Sequence, residues 1–458
     1  MASDLVIRGG DVCTPGRLRR ADVHVSGGVI TSLEPGGGRG REEVDAGGLL
    51  VLPGGVDAHV HSRDPGFPEK EDFASLTAAA AAGGVTTVVD MPNTLPAVES
   101  AAVFAEKVEI ASSRALVDFG LWGLLGVTTR AEEAEELVRA GVVGLKAFLG
   151  YAVRRRSRQV VYTPELVDPD LEAPPGYGAI ARLAPALARL GAPLAVHCED
   201  PDVLRAFARP VAGYADVLAA RPALAEAVAI AALGAISEQT GLAVHVVHLS
   251  SAEGLAAARA GVRAGARLVL ETCPQYLWLT DRDFERLGPM LKMYPPVRME
   301  SDRAALLEGL RSGEIARVAT DHAPHADREK LGRSLDEALP GSPGVETLYP
   351  SCLEIARRQG DLCAAARWVA EAPARALRLH PRKGVIEPGA DADLVLVDPA
   401  GETRVAVAQM HSRQRHCALD GQRFGFAVRA VYSRGELVAR DGDPVGEPGR
   451  GRLVRPTP

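Results

Sequence analysis

The chain has 458 residues, 47% of them hydrophobic, which is enough for one large α/β domain and a smaller domain beside it. Lysine and arginine number 52 against 59 aspartates and glutamates, and the formal net charge of −7 argues against a nucleic-acid-binding surface. The six cysteines are scattered, the amino terminus lacks the basic start and apolar core of a signal peptide, and the small-residue run at 78–82 is too short to span a bilayer. We therefore expect a cytoplasmic protein with no membrane partner.

Residues 1–53 alternate short β-like segments with glycine turns, and the pattern then changes to apolar segments separated by alanine-rich helical stretches. The helical stretches lie at 73–82, 98–112, 131–140, 177–190, 223–240 and 252–264. The eight candidate strands lie at 55–61, 85–91, 119–125, 143–149, 193–198, 243–249, 267–273 and 317–321. Alternating strands and helices predict parallel pairing, and eight units predict a closed (β/α)8 TIM barrel. A doubly wound open sheet is the alternative, but no glycine-rich phosphate-binding sequence follows the first strand.

After residue 380 the chain becomes β-like again. We expect residues 1–53 and 381–458 to build one small β-sandwich domain beside a barrel of residues 54–380. A loop rich in charge, proline and tyrosine, 152–176, follows the fourth strand. Loops of this length at the carboxyl face of a barrel are usually functional or assembly elements, so we interpret this one as a lid or an interface.

The first barrel strand ends in His59-Val60-His61, and strand alternation puts both imidazoles on one side. A pair of hydrogen-bonded core histidines is as good an explanation as a metal site for this motif alone. The ends of the other strands add further chemistry, because in a parallel barrel all of them meet at one face. They contribute Lys146, His197, His248 and Asp321. Burying this set without a metal is costly, so we predict two divalent metal ions there.

Lys146 cannot bind a cation as an ammonium, because that group has no lone pair. Among metal ions its pKa falls, and the neutral amine can react with carbon dioxide to give a carbamate that bridges both ions. The alternative is a salt bridge from Lys146 to Asp321 or Asp90. Asp321 is suited to move a proton from an attacking water to a leaving nitrogen, which predicts metal-assisted hydrolysis, or its reverse, at a carbonyl. His245 precedes His248 by three residues, so we expect it on the opposite face in a structural role.

Four segments together resemble the cyclic amidohydrolases, which include dihydroorotases, allantoinases and hydantoinases. They are 53–61 (PGGVDAHVH), 83–87 (GGVTT), 144–148 (GLKAF) and 320–325 (TDHAPH). The resemblance covers nearly the whole chain, including the split β-sandwich. It implies one metal on His59, His61 and Asp321, a second on His197 and His248, Lys146 bridging both, and zinc as the usual ion.

Within this family, three segments look most like dihydroorotase: 61–66 (HSRDPG), 91–94 (MPNT) and 321–325 (DHAPH). This likeness implies that Arg63, Asn93 and His325 hold the carboxylate of the substrate. A guanidinium suits a carboxylate bidentately, whereas allantoin and simple hydantoins have no such group. In the alternative, Arg63 pairs with Asp64 or Glu69.

Several positions depart from the dihydroorotase pattern and put the identity of the substrate in doubt. Ser62, Asp64 and Tyr294 replace a usual leucine, glutamate and substrate-binding asparagine, and 271–276 (ETCPQY) reads more like allantoinases and hydantoinases. The three dihydroorotase-like segments nevertheless lead us to expect a dihydroorotase that interconverts carbamoyl-aspartate and dihydroorotate. The enzymatic alternative is an allantoinase or a hydantoinase-type ring-opening hydrolase. A metal-free scaffold relative is the third hypothesis. The expected partner is a small cyclic ureide or carbamoyl amino acid, and we expect a homo-oligomer.

Overall fold

Five strands precede the barrel region in the computed structural model, which describes residues 3–36, 38–163 and 168–457. They are β1 (Ser3–Thr14), β2 (Arg17–Ser26), β3 (Val29–Ser32), β4 (Gly40–Asp45) and β5 (Leu50–Pro53). β1 pairs antiparallel with β2, which pairs antiparallel with β3, whereas β4 and β5 run parallel to β1. β5 ends at the proline that separates this sheet from the first strand of the barrel region.

Twelve strands follow between residues 55 and 318. They are β6 (Gly55–Val60), β7 (Val85–Asp90), β8 (Asp118–Leu121), β9 (Gly123–Leu124), β10 (Leu145–Phe148), β11 (Ala152–Arg154), β12 (Val160–Val161), β13 (Leu171–Glu172), β14 (Leu194–His197), β15 (Val244–Val246), β16 (Leu268–Thr272) and β17 (Arg317–Val318). β6, β7 and β8 form one parallel sheet, and β9, β10, β14, β15, β16 and β17 form a second. The short strands β11, β12 and β13 form a separate antiparallel sheet within the long loop after β10.

Hydrogen bonds join the two parallel sheets at both edges. β8 and β9 are one strand interrupted at Trp122, whose amide donates to the carbonyl of Asp90 (3.0 Å). At the other edge Val60 pairs in parallel with His322, and the amide of His61 donates to the His322 carbonyl (2.8 Å). Counted this way, eight parallel strands follow one another around a ring, so their carboxyl ends share one face. We call this set of strands the ring.

Fifteen α-helices are present in the described residues. They are α1 (Phe73–Ala82), α2 (Ala101–Arg114), α3 (Ala131–Ala140), α4 (Tyr177–Arg189), α5 (Pro201–Phe207), α6 (Tyr214–Ala220), α7 (Ala223–Thr240), α8 (Ala252–Arg263), α9 (Pro274–Trp278), α10 (Phe284–Leu287), α11 (Glu300–Ser312), α12 (Asp327–Lys330), α13 (Leu348–Gln359), α14 (Leu362–Ala366) and α15 (Ala372–Ala376). Side-chain caps begin several of them: Asp72 accepts from the amide of Ser75, and Ser251 from that of Gly254. Gly141 and Gly241, in left-handed conformation, end α3 and α7.

The segment 214–240 is long and apolar enough by composition to cross a membrane. It is divided into α6 and α7, and residues such as Ile230, Leu233 and the small Gly234 of α7 are buried. α7 packs between α4 and α8. The apolar composition of α7 is therefore explained by its packing between neighbouring helices on the outside of the ring.

Six strands complete the chain: β18 (Leu394–Asp398), β19 (Thr403–Arg404), β20 (Arg423–Phe424), β21 (Ala427–Ser433), β22 (Glu436–Arg440) and β23 (Asp443–Pro444). β18 pairs with β5, so strands from both ends of the chain share one nine-stranded sheet. This sheet has a hydrophobic core of its own, which includes Ile7, Val23, Ile386 and Leu396. The last residues leave the sheet and run beside β8, where the amide of Val454 donates to the carbonyl of Phe119 (2.8 Å).

A buried ion-pair cluster joins the terminal sheet to the ring. Lys383 Nζ lies 2.6 Å from Asp118 of β8, 2.9 Å from Asp391 and 2.7 Å from Asp393. These three carboxylates are close enough together to hold a metal ion. Arg434 also pairs with Asp118 and Arg382 with Asp391, so three cationic side chains balance the three carboxylates, and we assign the cluster a structural role.

Two ring strands end three residues before their predicted ends, and the reason bears on the site. The prediction extends them to 249 and 321, but β15 ends at Val246 and β17 at Val318. The chain then takes left-handed backbone at His248 (φ 42°) and Asp321 (φ 50°). Such a conformation is unfavourable for residues other than glycine, and it tends to persist where surrounding structure and function require it.

Candidate metal centre

Three side chains of metal-ligand type meet where β6 and β17 end. Nε2 of His59 and Nε2 of His61 each lie 3.2 Å from Oδ1 of Asp321. The two imidazole centroids are 5.4 Å apart. One ligand atom from each of the three residues lies within 4.8 Å of the others, a spacing that one metal ion can span.

Two more imidazoles lie beside this group, at the ends of β14 and β15. Nδ1 of His197 is 2.9 Å from Nε2 of His248, and the rings of His248 and His59 have centroids 5.4 Å apart. Nε2 of His197 lies 2.7 Å from the carboxylate of Glu199, which only accepts hydrogen bonds. The proton of a neutral His197 is therefore on Nε2, and its Nδ1 presents a lone pair towards His248.

Lys146, on β10, is the sixth of these residues. Its Nζ is buried and has no hydrogen-bond partner in the described chain. The salt-bridge alternative is not observed there: Asp90 pairs with Lys107 at 2.5 Å, and no ion pair joins Lys146 to Asp321. Burial lowers the pKa of Lys146 to about 8, which favours a neutral, nucleophilic amine.

Burial also determines the charge of the imidazoles and of the carboxylate. It lowers the pKa of His59, His61, His197 and His248, so these rings are neutral near pH 7 and keep lone pairs for a metal. Burial raises the pKa of Asp321. Neutral imidazoles, an unpartnered amine and a carboxylate fit a pair of divalent cations in chemistry and in placement.

Two carboxylates that the sequence analysis did not assign lie behind the imidazoles. Glu271 Oε1 is 3.2 Å from His59 Nδ1, and its Oε2 is 2.8 Å from Nε of Arg317. Glu199 has the same relation to His197 and pairs with Arg221. A weak signal for Glu199 exists in the sequence, because it follows His197 by two residues and so points the same way in an extended chain.

Strand alternation predicts that His245 lies on the face turned away from the site, but the structure shows it close to the site. Its Nδ1 is 3.0 Å from Nη2 of Arg317, and Arg317 pairs with Glu271, the carboxylate behind His59. The period-two argument fails here because the chain leaves extended geometry before His248. His245 is thus part of the buried hydrogen-bonded layer beneath the candidate centre.

Arg63 lines the cavity over these residues. It is 6% exposed, its Nε donates to the carbonyl of Pro324 (3.0 Å), and its Nη1 lies 3.3 Å from the hydroxyl of Tyr162. The suggested partner Asp64 pairs instead with Arg114 at 2.6 Å, and Arg63 has no carboxylate partner in the described ranges. Arg63 therefore brings to the cavity wall a buried guanidinium that no carboxylate of the described residues contacts directly.

The other two predicted substrate contacts are placed differently. Asn93 lines the cavity, but its Oδ1 lies 2.8 Å from Nδ1 of His61, so it orients that imidazole. His325 is buried outside the cavity lining; its Nε2 is 2.9 Å from the Pro340 carbonyl, and its ring packs edge-on against Tyr162.

Aromatic side chains also line the cavity. They are Phe148, Tyr151, Tyr162 and Tyr294. Tyr162 belongs to the predicted loop 152–176, and Tyr151 immediately precedes it. Residues 164–167 of that loop lie outside the described residues. The space left is about 30 Å³, enough for a few water molecules.

Comparison with known proteins gives a consistent result. Residues 50–438 match the Amidohydrolase family. An allantoinase of Rubrobacter xylanophilus is 38% identical over 464 residues, covering 99% of this chain and 98% of the relative. A dihydroorotase of Methanosarcina mazei is 34% identical over 433 residues, covering 90% of this chain and 88% of the relative. The L-hydantoinase (dihydropyrimidinase) from Arthrobacter aurescens has a similar fold, with a TM-score of 0.91, 28% identity and coverage of 99% and 100% of the two chains.

Proposed function

Because the chain belongs to the Amidohydrolase family and is a hydrolase acting on cyclic amides, we propose that it opens the ring of a cyclic ureide, as an allantoinase or hydantoinase does. The observation that carries this proposal is the meeting of His59, His61, His197, His248, Lys146 and Asp321 at one end of the ring. The names of the allantoinase and L-hydantoinase relatives support this substrate class.

In this proposal His59, His61 and Asp321 hold one divalent cation, and His197 and His248 hold a second. Nitrogen and carboxylate ligands suit zinc, which is our proposed ion. Bound there, the two cations would supply Lewis acidity to the substrate carbonyl and lower the pKa of water. Asn93 orients the His61 ring through Nδ1 of His61, and Glu271 orients the His59 ring through Nδ1 of His59.

Lys146 carries a carbamate in the active protein, formed from its neutral amine and carbon dioxide. Its burial and its lack of a hydrogen-bond partner support this assignment. As an ammonium it would repel two cations, whereas a carbamate offers two anionic oxygens between them. The alternative of a structural salt bridge has no support in the contacts of Lys146.

Asp321 moves the proton in the proposed reaction. Its carboxylate takes a proton from the attacking water and returns it to the ring nitrogen that leaves as the C–N bond breaks. The left-handed backbone at Asp321 directs the side chain towards His59 and His61, so the base is held beside the reacting atoms.

Dihydroorotase, the first choice of the sequence analysis, becomes the second candidate. The allantoinase relative is more similar to this chain than the dihydroorotase relative and covers more of it. One observation still favours a carboxylate-bearing substrate: the buried guanidinium of Arg63 has no anionic partner in the described chain. Neither Asn93, bound to His61, nor His325, outside the cavity lining, adds to that argument.

The test is turnover of allantoin, hydantoin and dihydroorotate by the purified zinc-loaded protein. Opening of allantoin or hydantoin with little turnover of dihydroorotate is the expected result. Fast turnover of dihydroorotate alone would select the second candidate. No turnover of any of them by a protein that binds no metal would favour the scaffold hypothesis.

The remaining expectations join this proposal. The TM-score of 0.91 to the L-hydantoinase supports a (β/α)8 TIM barrel for the ring and its helices, with a β-sandwich of 1–53 and 381–458 beside it. The six cysteines are free, as in a reducing cytoplasm. Homo-oligomerisation stays a prediction.

A further inference from the structure

Arg221 is the one basic residue in the described chain that contacts both a carboxylate hydrogen-bonded to a candidate metal ligand and an aromatic side chain of the cavity wall. Its Nε lies 3.0 Å and 3.2 Å from the two carboxylate oxygens of Glu199, and its Nη2 lies 2.5 Å from one of them. Glu199 in turn lies 2.7 Å from Nε2 of His197. The three side chains are buried, so this chain of charges and protons is shielded from water.

The same guanidinium also contacts two aromatic side chains of the cavity wall. Its Cζ lies 3.6 Å from the ring centroid of Tyr294 and 5.9 Å from that of Tyr151. Tyr151 also packs on His197, with centroids 4.4 Å apart. Cation–π contact at such a distance in a desolvated site is strong enough to fix the orientation of an aromatic ring.

Arg221 is itself held firmly in the connection between α6 and α7. Its amide donates to the carbonyl of Val217 (3.0 Å), and its carbonyl accepts from Nη1 of Arg298 (3.0 Å). These bonds hold the backbone from which the one guanidinium contacts both Glu199 and Tyr294. A planar group with five donors is required for this double role, which the ammonium of lysine cannot reproduce.

We propose that Arg221 is a positioning residue that couples the shape of the substrate cavity at Tyr294 to the metal affinity of the His197–His248 position. This inference rests on the proposed binuclear centre. Through Glu199 it keeps the proton of His197 on Nε2 and the lone pair of Nδ1 facing His248. Through Tyr294 it sets where the substrate ring can lie.

The His59 side of the centre provides a matched comparison. There Arg317 pairs with Glu271, which backs His59, but the partner of Arg317 beyond Glu271 is His245, beneath the centre. Neither arginine lines the cavity itself, but Arg221 contacts Tyr294, which does. Each arginine thus pairs with a carboxylate that contacts a candidate metal ligand, but of the two only Arg221 contacts an aromatic side chain of the cavity wall.

The experiment measures metal affinity without substrate, by titrating the zinc-loaded protein with a competing chelator and by the visible spectrum of the cobalt-loaded protein. Arg221→Met should weaken one of the two metal positions by about 10–100-fold, and it should also change KM. Arg317→Met should weaken a metal position to a similar extent without a specific change of KM. Tyr294→Leu should change KM and should weaken the same metal position as Arg221→Met by a smaller factor, because a coupling through Arg221 acts in both directions.

Arg221→Lys separates the two contacts if Arg221→Met fails to fold. Lysine keeps the charge beside Glu199 but loses the planar face, so metal affinity should recover more than KM does. A folded Arg221→Met or Arg221→Lys protein with wild-type metal affinities and KM would overturn the inference. Loss of metal affinity without any change of KM would also overturn the coupling. If the protein binds two metals but opens none of the test substrates, the proposed function fails while the metal titration still tests Arg221.

Discussion

Nδ1 of His197 and Nε2 of His248 face each other at 2.9 Å, and the carboxylate of Glu199 determines that Nδ1 of His197 presents a lone pair. Two neutral imidazoles in this arrangement form half of a binding position for a soft or borderline cation. His59, His61 and Asp321 form a comparable group beside them, and Lys146 on β10 is buried without a hydrogen-bond partner among the described residues.

Metal removal should abolish activity. Dialysis against a strong chelator is expected to remove about two metal ions per chain and all turnover, because water at pH 7 is a weak nucleophile without a Lewis acid. Adding zinc should restore turnover in proportion to metal content, measured by elemental analysis. Undiminished activity of a metal-free preparation would contradict the proposed mechanism.

Lys146→Ala should reduce turnover by at least about a thousandfold, because the bridging carbamate is lost and the two cations repel each other. Short carboxylic acids such as propionate should restore part of the activity by occupying the vacated space. Mass spectrometry under native conditions should find one added carbon dioxide in the wild-type chain and none in the variant. Wild-type rates in Lys146→Ala would rule out the carbamate.

Asp321→Asn should reduce kcat by about 10²–10⁴-fold, since an amide cannot accept and return the proton. Asp64→Asn is a suitable control, because Asp64 is buried nearby but pairs with Arg114 outside the cavity lining. Circular dichroism checks that both variants fold. Equal loss of activity in the two folded variants would count against Asp321 as the proton carrier.

Arg63→Met tests whether the substrate carries a carboxylate. Losing a charge-assisted pair should lower kcat/KM for dihydroorotate by about 10–100-fold and change the value for neutral hydantoin much less. Arg114→Met, which removes a nearby guanidinium outside the cavity, should leave both values near wild type. Equal losses on the charged and neutral substrates would contradict the carboxylate-binding role of Arg63.

Glu226 should make stability depend on pH. Burial raises the pKa of this α7 carboxyl from its ordinary value of 4.5 to about 7. Between these values the folded protein holds a proton that the unfolded chain releases, so this contribution to stability is complete below about pH 4 and is lost as pH rises to 7. Glu226→Gln should therefore flatten the change of Tm over this range in thermal unfolding of the holoprotein. An unchanged pH profile would show that Glu226 does not titrate there.

Much of the candidate site follows from the sequence through one rule. Parallel β/α units place the carboxyl ends of their strands on one face, so His59, Lys146, His197 and Asp321 can be grouped without coordinates. The same periodicity separates the alternating strand and helix region from the β-rich ends. In the structure, β18 from the carboxyl-terminal end pairs with β5 from the amino-terminal end.

The residues that support the site could not be found in this way. Glu271 is 212 positions from His59, and Arg221 is 24 positions from His197 and 73 from Tyr294. Their contacts depend on how the ring closes and how the connecting segments pack over it. Period-two alternation also misplaces His245, because the backbone turns left-handed at His248.

The strand ends that carry chemistry can be read from the amino-acid pattern alone, because side-chain direction in a strand is a local property of the backbone. Three further findings required the folded chain: Asn93 orients His61, His325 stays outside the cavity lining, and Arg63 lacks an anionic partner among the described residues. Those outcomes depend on contacts between segments far apart in the chain, and such contacts are set by packing and charge pairing rather than by any local period.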